Sequence, residues 1–314
     1  MKYLAFDIEI AFDFSHIDID LFPPEDGEKV LLANEDSEEE MWMEATYIGN
    51  IIKRFKLLNG ELIKAPHWKY QGGDWKRFHP LGITCAAASS DGELWNWWAN
   101  ESGRFTDRMI RYDAEKLVVA LMKLARGFTI LTWNGLGFDF ELLAEESGMF
   151  EECKELALNH VDMMFHFFCS KGYALGLDAA SKGMGLAGKP EGMTGAKAPE
   201  LWPTDPHKIL AYCSLDTKNT LDLANAVDQC GYLEWTARSG RQNVWDCSRW
   251  LTVKEAMALT EPDTSWMSDP WTRSKFYGWT GYIPQVQTPV PLPLTPLDLD
   301  YDEMEEEERR EIEE

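Results

Sequence analysis

Asp7 and Glu9 stand two residues apart in the segment Phe6-Asp7-Ile8-Glu9. At strand periodicity their side chains project to one face. Adjacent carboxylates repel, so such a pair is costly unless cations or hydrogen bonds offset it. A second pattern, Asn134-x-x-x-Phe138-Asp139, sets a carboxylate just after an expected strand-to-helix turn. A third, Tyr212-x-x-x-Asp216, places a phenol and a carboxylate one turn apart on a helical face. Each alone is weak in a chain with 54 acidic residues, because an acid at a strand end is most often a solvated turn residue. Their combination is far more specific.

That combination resembles the DEDD superfamily of 3′→5′ exonucleases, in its DEDDy subclass. Within the subclass it is similar to the predicted exonucleases related to the proofreading domain of family B DNA polymerases. Asp7 and Glu9 match the first motif, Asp139 with Asn134 and Phe138 the second, and Tyr212 with Asp216 the third. The stretches His160-Val161-Asp162-Met163-Met164, Leu186-Ala187-Gly188-Lys189-Pro190 and Gly192-Met193-Thr194-Gly195 also read like that family. The resemblance covers residues 1–10 and roughly 80–230. The gap between the first and second motifs is wider than in compact members.

The resemblance implies a ribonuclease H-like fold, two divalent cations (Mg²⁺ or Mn²⁺) and stepwise hydrolysis from a 3′ end, releasing nucleoside 5′-monophosphates. Asp7 would bridge the ions, Glu9 and Asp216 would hold the one that activates water, and Asp139 would hold the second through water. Hard oxygen donors suit those ions. Tyr212 would orient the attacking water, a phenol near pKa 10 being a poor unaided base. A His general base belongs to the DEDDh arrangement, so His160 is not expected to serve as one. Asp162 is expected to cap a helix or support a neighbour. The likeness to proofreading domains favours single-stranded DNA over RNA and leaves room for a polymerase or a repair or replication partner. An RNA exonuclease and an inactive ribonuclease H-like scaffold, its acidic tail binding a basic partner, stand as alternatives.

Substrate contacts are less well marked. Asn134 suits a turn as well as a substrate, and Lys189 suits a solvated loop as well as a phosphate. Residues 51–79 carry seven Lys or Arg against two acids, mixed with aromatic rings. There Lys76 and Arg77 could meet phosphates while bases stack on Trp68 or Trp75, although a hairpin with a charged outer face would read the same. Trp271 to Phe276 is a second such stretch.

Elements must bring these residues together. Tyr3–Ile8 reads as a buried strand, followed by strands at 82–88 and 93–98 around the Ser90-Asp91-Gly92 turn. Apolar spacing predicts a helix over 114–125, a strand over 128–133 and a short helix over 138–146. Further helices are expected over 162–169, 175–182 and 207–228, and Thr252-Val253-Lys254-Glu255 reads as a capping box. Strands followed by alternating strand and helix predict an α/β fold, a mixed central sheet flanked by helices, with an irregular C-terminal extension.

The 314 residues carry a net charge of -24, which argues against a protein that coats nucleic acid. The charge is uneven. Residues 25–44 hold nine acids and one lysine and read as an exposed acidic insertion; residues 298–314 hold eleven acids and two arginines and read as a disordered tail. The expected organisation is an exonuclease domain over 1–230 containing both insertions, a Trp/Pro-rich appendage over 231–297, and the tail. Six cysteines without CxxC spacing, with no leader and no long apolar run, are expected of a soluble protein in a reducing, cytoplasmic compartment. No membrane contact is expected, and the oligomeric state is not encoded in any feature of the sequence.

Overall fold

The computed structural model describes residues 2–12, 29–34, 40–48, 51–57, 62–63, 68–72, 80–98, 104–190, 192–193, 195–237, 239–267 and 270–284, with the strands between 29 and 72 described as backbone alone. In chain order the amino-terminal strands are β1 (Tyr3–Ile10), β2 (Lys29–Asn34), β3 (Glu40–Ile48), β4 (Ile51–Leu57), β5 (Leu62–Ile63), β6 (Trp68–Gly72), β7 (Ile83–Ser90) and β8 (Glu93–Trp98). Then follow α1 (Arg111–Leu124), β9 (Thr129–Thr132), α2 (Asp139–Ser147), α3 (Phe150–Asn159), β10 (Val161–Asp162), α4 (Met163–Lys171), α5 (Leu177–Gly183), α6 (Ala198–Leu201) and the long α7 (Pro206–Cys230). The last elements are β11 (Tyr232–Thr236), β12 (Gln242–Asp246), α8 (Val253–Met257) and α9 (Ser274–Tyr277). Residues 1–282 and 283–314 form separate units, and the regular elements among the described residues lie in the first.

The central sheet has the order β10-β9-β1-β7-β8. It is mixed: β1 runs parallel to β9 and antiparallel to β7, while β9 and β10 are parallel and β7 and β8 antiparallel. Alternation along β1 divides its side chains between two cores. Leu4, Phe6 and Ile8 join Leu117, Leu121 and Phe140 on one face. Ala5 faces the other way, with Leu131, Leu223 and Val227. Full burial of a side chain such as Phe140 contributes roughly 1.5–3 kcal/mol. On the α7 face, β7 presents Cys85 and Ala87, small enough for the helix to approach with Ile209, Tyr212 and Cys213.

Residues 25–44 were expected as a loop on the strength of their charge. The backbone instead forms β2 and β3, within an antiparallel sheet ordered β5-β4-β3-β2-β6. The apolar runs Val30–Ala33 and Met41–Met43 supply strand formers between the acids. Helix α3 and the short β10 were also not anticipated; two residues of strand give no periodicity to read.

Beyond α7 the hairpin of β11 and β12 buries Leu233, Trp235 and Trp245 in the second core. Rings meet edge to face there: Phe167 lies 5.1 Å from Trp235 and 5.3 Å from Trp245. Thr252 and Glu255 form the expected capping box of α8. The remaining extension is irregular, pinned by the guanidinium of Arg273, which donates to the carbonyls of Met257, Leu259, Cys169 and Thr260. Among the described residues no helix is long and apolar enough to cross a membrane.

Candidate functional site

β9 stops at Thr132, having paired only with Tyr3, Leu4 and Ala5 of β1. The N–H of Ile8 therefore lacks a strand partner on that side. Asp139, the first residue of α2, takes the vacant place: its Oδ1 accepts from the Ile8 N–H at 3.0 Å. This bond ties the second sequence motif to the first. From the opposite side α7 brings Tyr212, Cys213 and Asp216, all buried. A carboxylate oxygen each of Asp7 and Glu9 and the Cys213 sulfur lie within 4.8 Å of one another.

Lys189 enters from the loop after α5. Its Nζ donates to Tyr212 Oη at 2.7 Å and to Asp216 Oδ2 at 2.6 Å. The lysine is held in place by its backbone: its N–H donates to Asp178 Oδ1 at 2.9 Å, while Asn219 on α7 donates to the Gly188 carbonyl at 3.0 Å. Gly188 has φ +69°, and a Cβ there would lie 2.6 Å from Asp178 Oδ1, so both conformation and space require glycine.

The electrostatics follow from crowding carboxylates out of water. Burial raises the Asp7 carboxyl well above its ordinary range, with Asp139 and Asp216 adding to the rise and Lys189 opposing it. Burial and then Asp7 do the same to Glu9. Burial pushes Asp139 up to about 7, against the pull of the Ile8 N–H. Tyr212 is raised too, by burial and then by Asp216 and Glu9, so the phenol keeps its proton. Burial works against the charge on Lys189, but Asp216, Asp7 and Glu9 together outweigh it and hold the ammonium pKa above the usual value. Asp216, Asp7 and Glu9 share the one Lys189 ammonium, and among the described residues the buried Oδ1 of Asp216 has no hydrogen-bond partner. Oxygen donors of this kind fit a divalent cation; Asp7 and Glu9 belong to the group that could hold one, and Asp139 and Asp216 adjoin it.

The surrounding loop explains two further residues. Asp162 caps α4 through the Phe165 N–H at 2.9 Å, as expected of it, and also accepts from the N–H groups of Asn134 (3.0 Å) and Leu136 (2.9 Å). Asn134 has φ 76°, the left-handed turn conformation that Asn tolerates. Its structural place is thus the turn, with Phe138 immediately before α2 and packed on the core. From outside, Trp279 donates its indole N–H to the Leu136 carbonyl at 2.7 Å. The support from Trp279 and the role of Cys213 beside the carboxylates had no legible signal, since both depend on contacts between distant segments. His160 is buried and saturated by Thr132 and the Ala157 carbonyl, and burial lowers it to about 3. Trp75, Lys76 and Arg77 lie outside the described residues, as does the side chain of Trp68.

Residues 95–227, less than half the chain, match the family model RNase_H_2, described as RNase_H superfamily. The match includes Asp139, Tyr212 and Asp216 and leaves out Asp7 and Glu9. No curated protein matches. Among solved structures, the family B DNA polymerase from the hyperthermophilic archaeon Pyrobaculum calidifontis is similar at 16% identity and a TM-score of 0.38, over 72% of this chain and 24% of the polymerase; the alignment thus spans about a quarter of that enzyme. The mixed sheet with its flanking helices has a ribonuclease H-like fold, and the match to that superfamily is confined to residues 95–227.

Proposed function

We propose that the protein is a metal-dependent 3′→5′ exonuclease acting on single-stranded nucleic acid, DNA in preference to RNA. The observation that carries this reading is the gathering of Asp7 and Glu9 on β1 with Asp139, bonded to the Ile8 N–H, and Asp216 on α7, both of which act on the Asp7 carboxyl, with Tyr212 beside Asp216. Two divalent cations, Mg²⁺ or Mn²⁺, would supply acidification of water and neutralisation of charge on the phosphate and the leaving oxygen. Asp7 would be shared between them, Glu9 and Asp216 would hold the one that acidifies water, and Asp139 would hold the other through water. Tyr212, with its proton retained, can donate to or orient the attacking water. Lys189 balances Asp216 and Tyr212 and can turn its ammonium to a substrate phosphate. Asn134 and Phe138 border the same loop and are the proposed contacts nearest the reacting end.

The catalytic unit is proposed to comprise residues 1–230, with 231–297 as a supporting extension and 298–314 as an acidic tail. Service to a separate polymerase or a repair complex, in a reducing cytoplasmic compartment, completes the reading. It is tested by end-labelled oligonucleotides with free or blocked 3′ ends, comparing the parent with Asp7→Ala in Mg²⁺ and Mn²⁺. A loss of at least ~100-fold is expected for Asp7→Ala. Activity within a few-fold of the parent rejects the bridging role, and equal digestion from a blocked 3′ end rejects the polarity.

A further inference from the structure

The edge of the central sheet offers a surface that the reading above does not use. In the antiparallel ladders Glu9 pairs with Cys85, and Cys85 with Trp98. Residues paired in this way project to the same face. Trp98 therefore stands in the same row as Glu9 on the α7 side, two strand spacings or about 10 Å away. The face is confirmed by its neighbour two residues back, Asn96, which receives the hydroxyl of Ser214 from α7 at 2.8 Å. Strand β8 ends the sheet, and Trp98 keeps 40% of its surface exposed.

The ring is braced rather than loose. Phe105 lies 6.3 Å from Trp98, and is itself met edge to face by Trp202 at 5.5 Å and by His207 at 4.8 Å. Trp202 is buried and anchored by its indole N–H on the Thr106 carbonyl, 2.6 Å away. Phe105 and Trp202 also pack with Tyr212, so the brace and the candidate catalytic phenol share one cluster. Arg104, Arg108 and Lys208 are exposed along the same two segments, against Asp107 and Asp205, and Asp205 is engaged in capping α7. The patch is thus slightly cationic on a chain of net charge -24.

We propose that Trp98, held by Phe105, which Trp202 and His207 brace in turn, is a stacking platform for a base of the single-stranded substrate. An aromatic face tolerates any base, and prior bracing removes the ordering cost that a mobile ring would incur. At about 3.4 Å per stacked nucleotide, the base on Trp98 lies within about three nucleotides of the reacting phosphate. The platform sharpens the exonuclease reading and rests on it.

The test uses full-length protein with Ca²⁺ in place of Mg²⁺ to slow turnover, and fluorescence anisotropy of labelled single-stranded DNA. One oligomer is intact, and four carry a single abasic site at successive positions from the 3′ end. For the parent, one abasic position should weaken binding by about 5- to 100-fold. Trp98→Ala should lose a similar factor on the intact oligomer and be indifferent to that same abasic site, whereas Trp98→Tyr should recover most of the affinity. Equal melting temperatures of the three proteins show that the fold is retained. Trp98→Ala binding within twofold of the parent, or with the parent's abasic profile, overturns the platform alone. A parent that neither binds nor digests any oligomer overturns the exonuclease reading and the platform with it.

Discussion

Tyr212 shows how one side chain is specified by its neighbours. Its hydroxyl receives the Lys189 ammonium at 2.7 Å, and burial beside Asp216 and Glu9 keeps the proton on the phenol. It is therefore suited to orienting water rather than to abstracting a proton. Tyr212→Phe is expected to lower kcat by about 100-fold, the low end of what a positioned proton-handling group contributes. Divalent-cation affinity, followed by calorimetry, should change little. A Phe variant with parental kcat would leave Tyr212 as a packing residue. The four carboxylates and this tyrosine were singled out through the resemblance of three short motifs to the DEDDy exonucleases, since strand and helix periods left each motif weak by itself. Lys189 was legible only as a loop cation, since its contacts depend on where Gly188 and Asn219 place the loop.

Elements decide whether those residues meet. The early end of β9 leaves the Ile8 N–H for Asp139, and the Asp162 carboxylate gathers the turn at 134–136 with the start of α4. Sequence periodicity found β1, β7, β8, α1, β9, α2 and α7 to within a few residues, because each has a regular apolar face. It missed β10, too short to show a period, and misread β2 and β3, where charge concealed short apolar runs. The extension after α7 carried too many Trp and Pro residues for any period to emerge, yet its fastening is specific. Arg273 spans four carbonyl oxygens, two on the α8 end, one on α4 and one beyond. Arg273→Ala leaves those acceptors short of donors and is expected to cost about 3 kcal/mol, read as a lower urea midpoint. An unchanged midpoint would show that water replaces the guanidinium without loss.

At the scale of the whole molecule, the site stores a penalty that depends on pH. Burial pushes the Asp139 carboxyl up to about 7 from an ordinary 3.8. Between those values the folded state holds the extra proton, so stability through this group falls as pH rises. Asp162, raised to about 6 by burial, acts in the same direction, whereas His160, lowered to about 3, acts in the opposite one below its ordinary 6.5. A divalent cation held by these carboxylates would offset their repulsion. Mg²⁺ or Mn²⁺ should therefore raise the melting temperature more at pH 8 than at pH 5.5, with EDTA removing the difference. A shift independent of pH would place the ions away from Asp139. Net charge alone gave the wrong emphasis here, because so much of it resides in the insertion and the tail.

β1 and β7 also carry a consequence for how this chain can change. They are neighbours in the sheet, and their ladder continues past the strand ends, from Ala11 to Gly82 at 2.8 Å and from Phe12 to Leu81 at 2.9 Å. In topological terms they are a hairpin whose tip has been opened to admit residues 13–79. A long tip is entropically cheap, each doubling of its length costing only about 0.6 kcal/mol. The tip is therefore a socket, where whole modules can be exchanged while the two strands that carry Asp7, Glu9 and Cys85 keep their register.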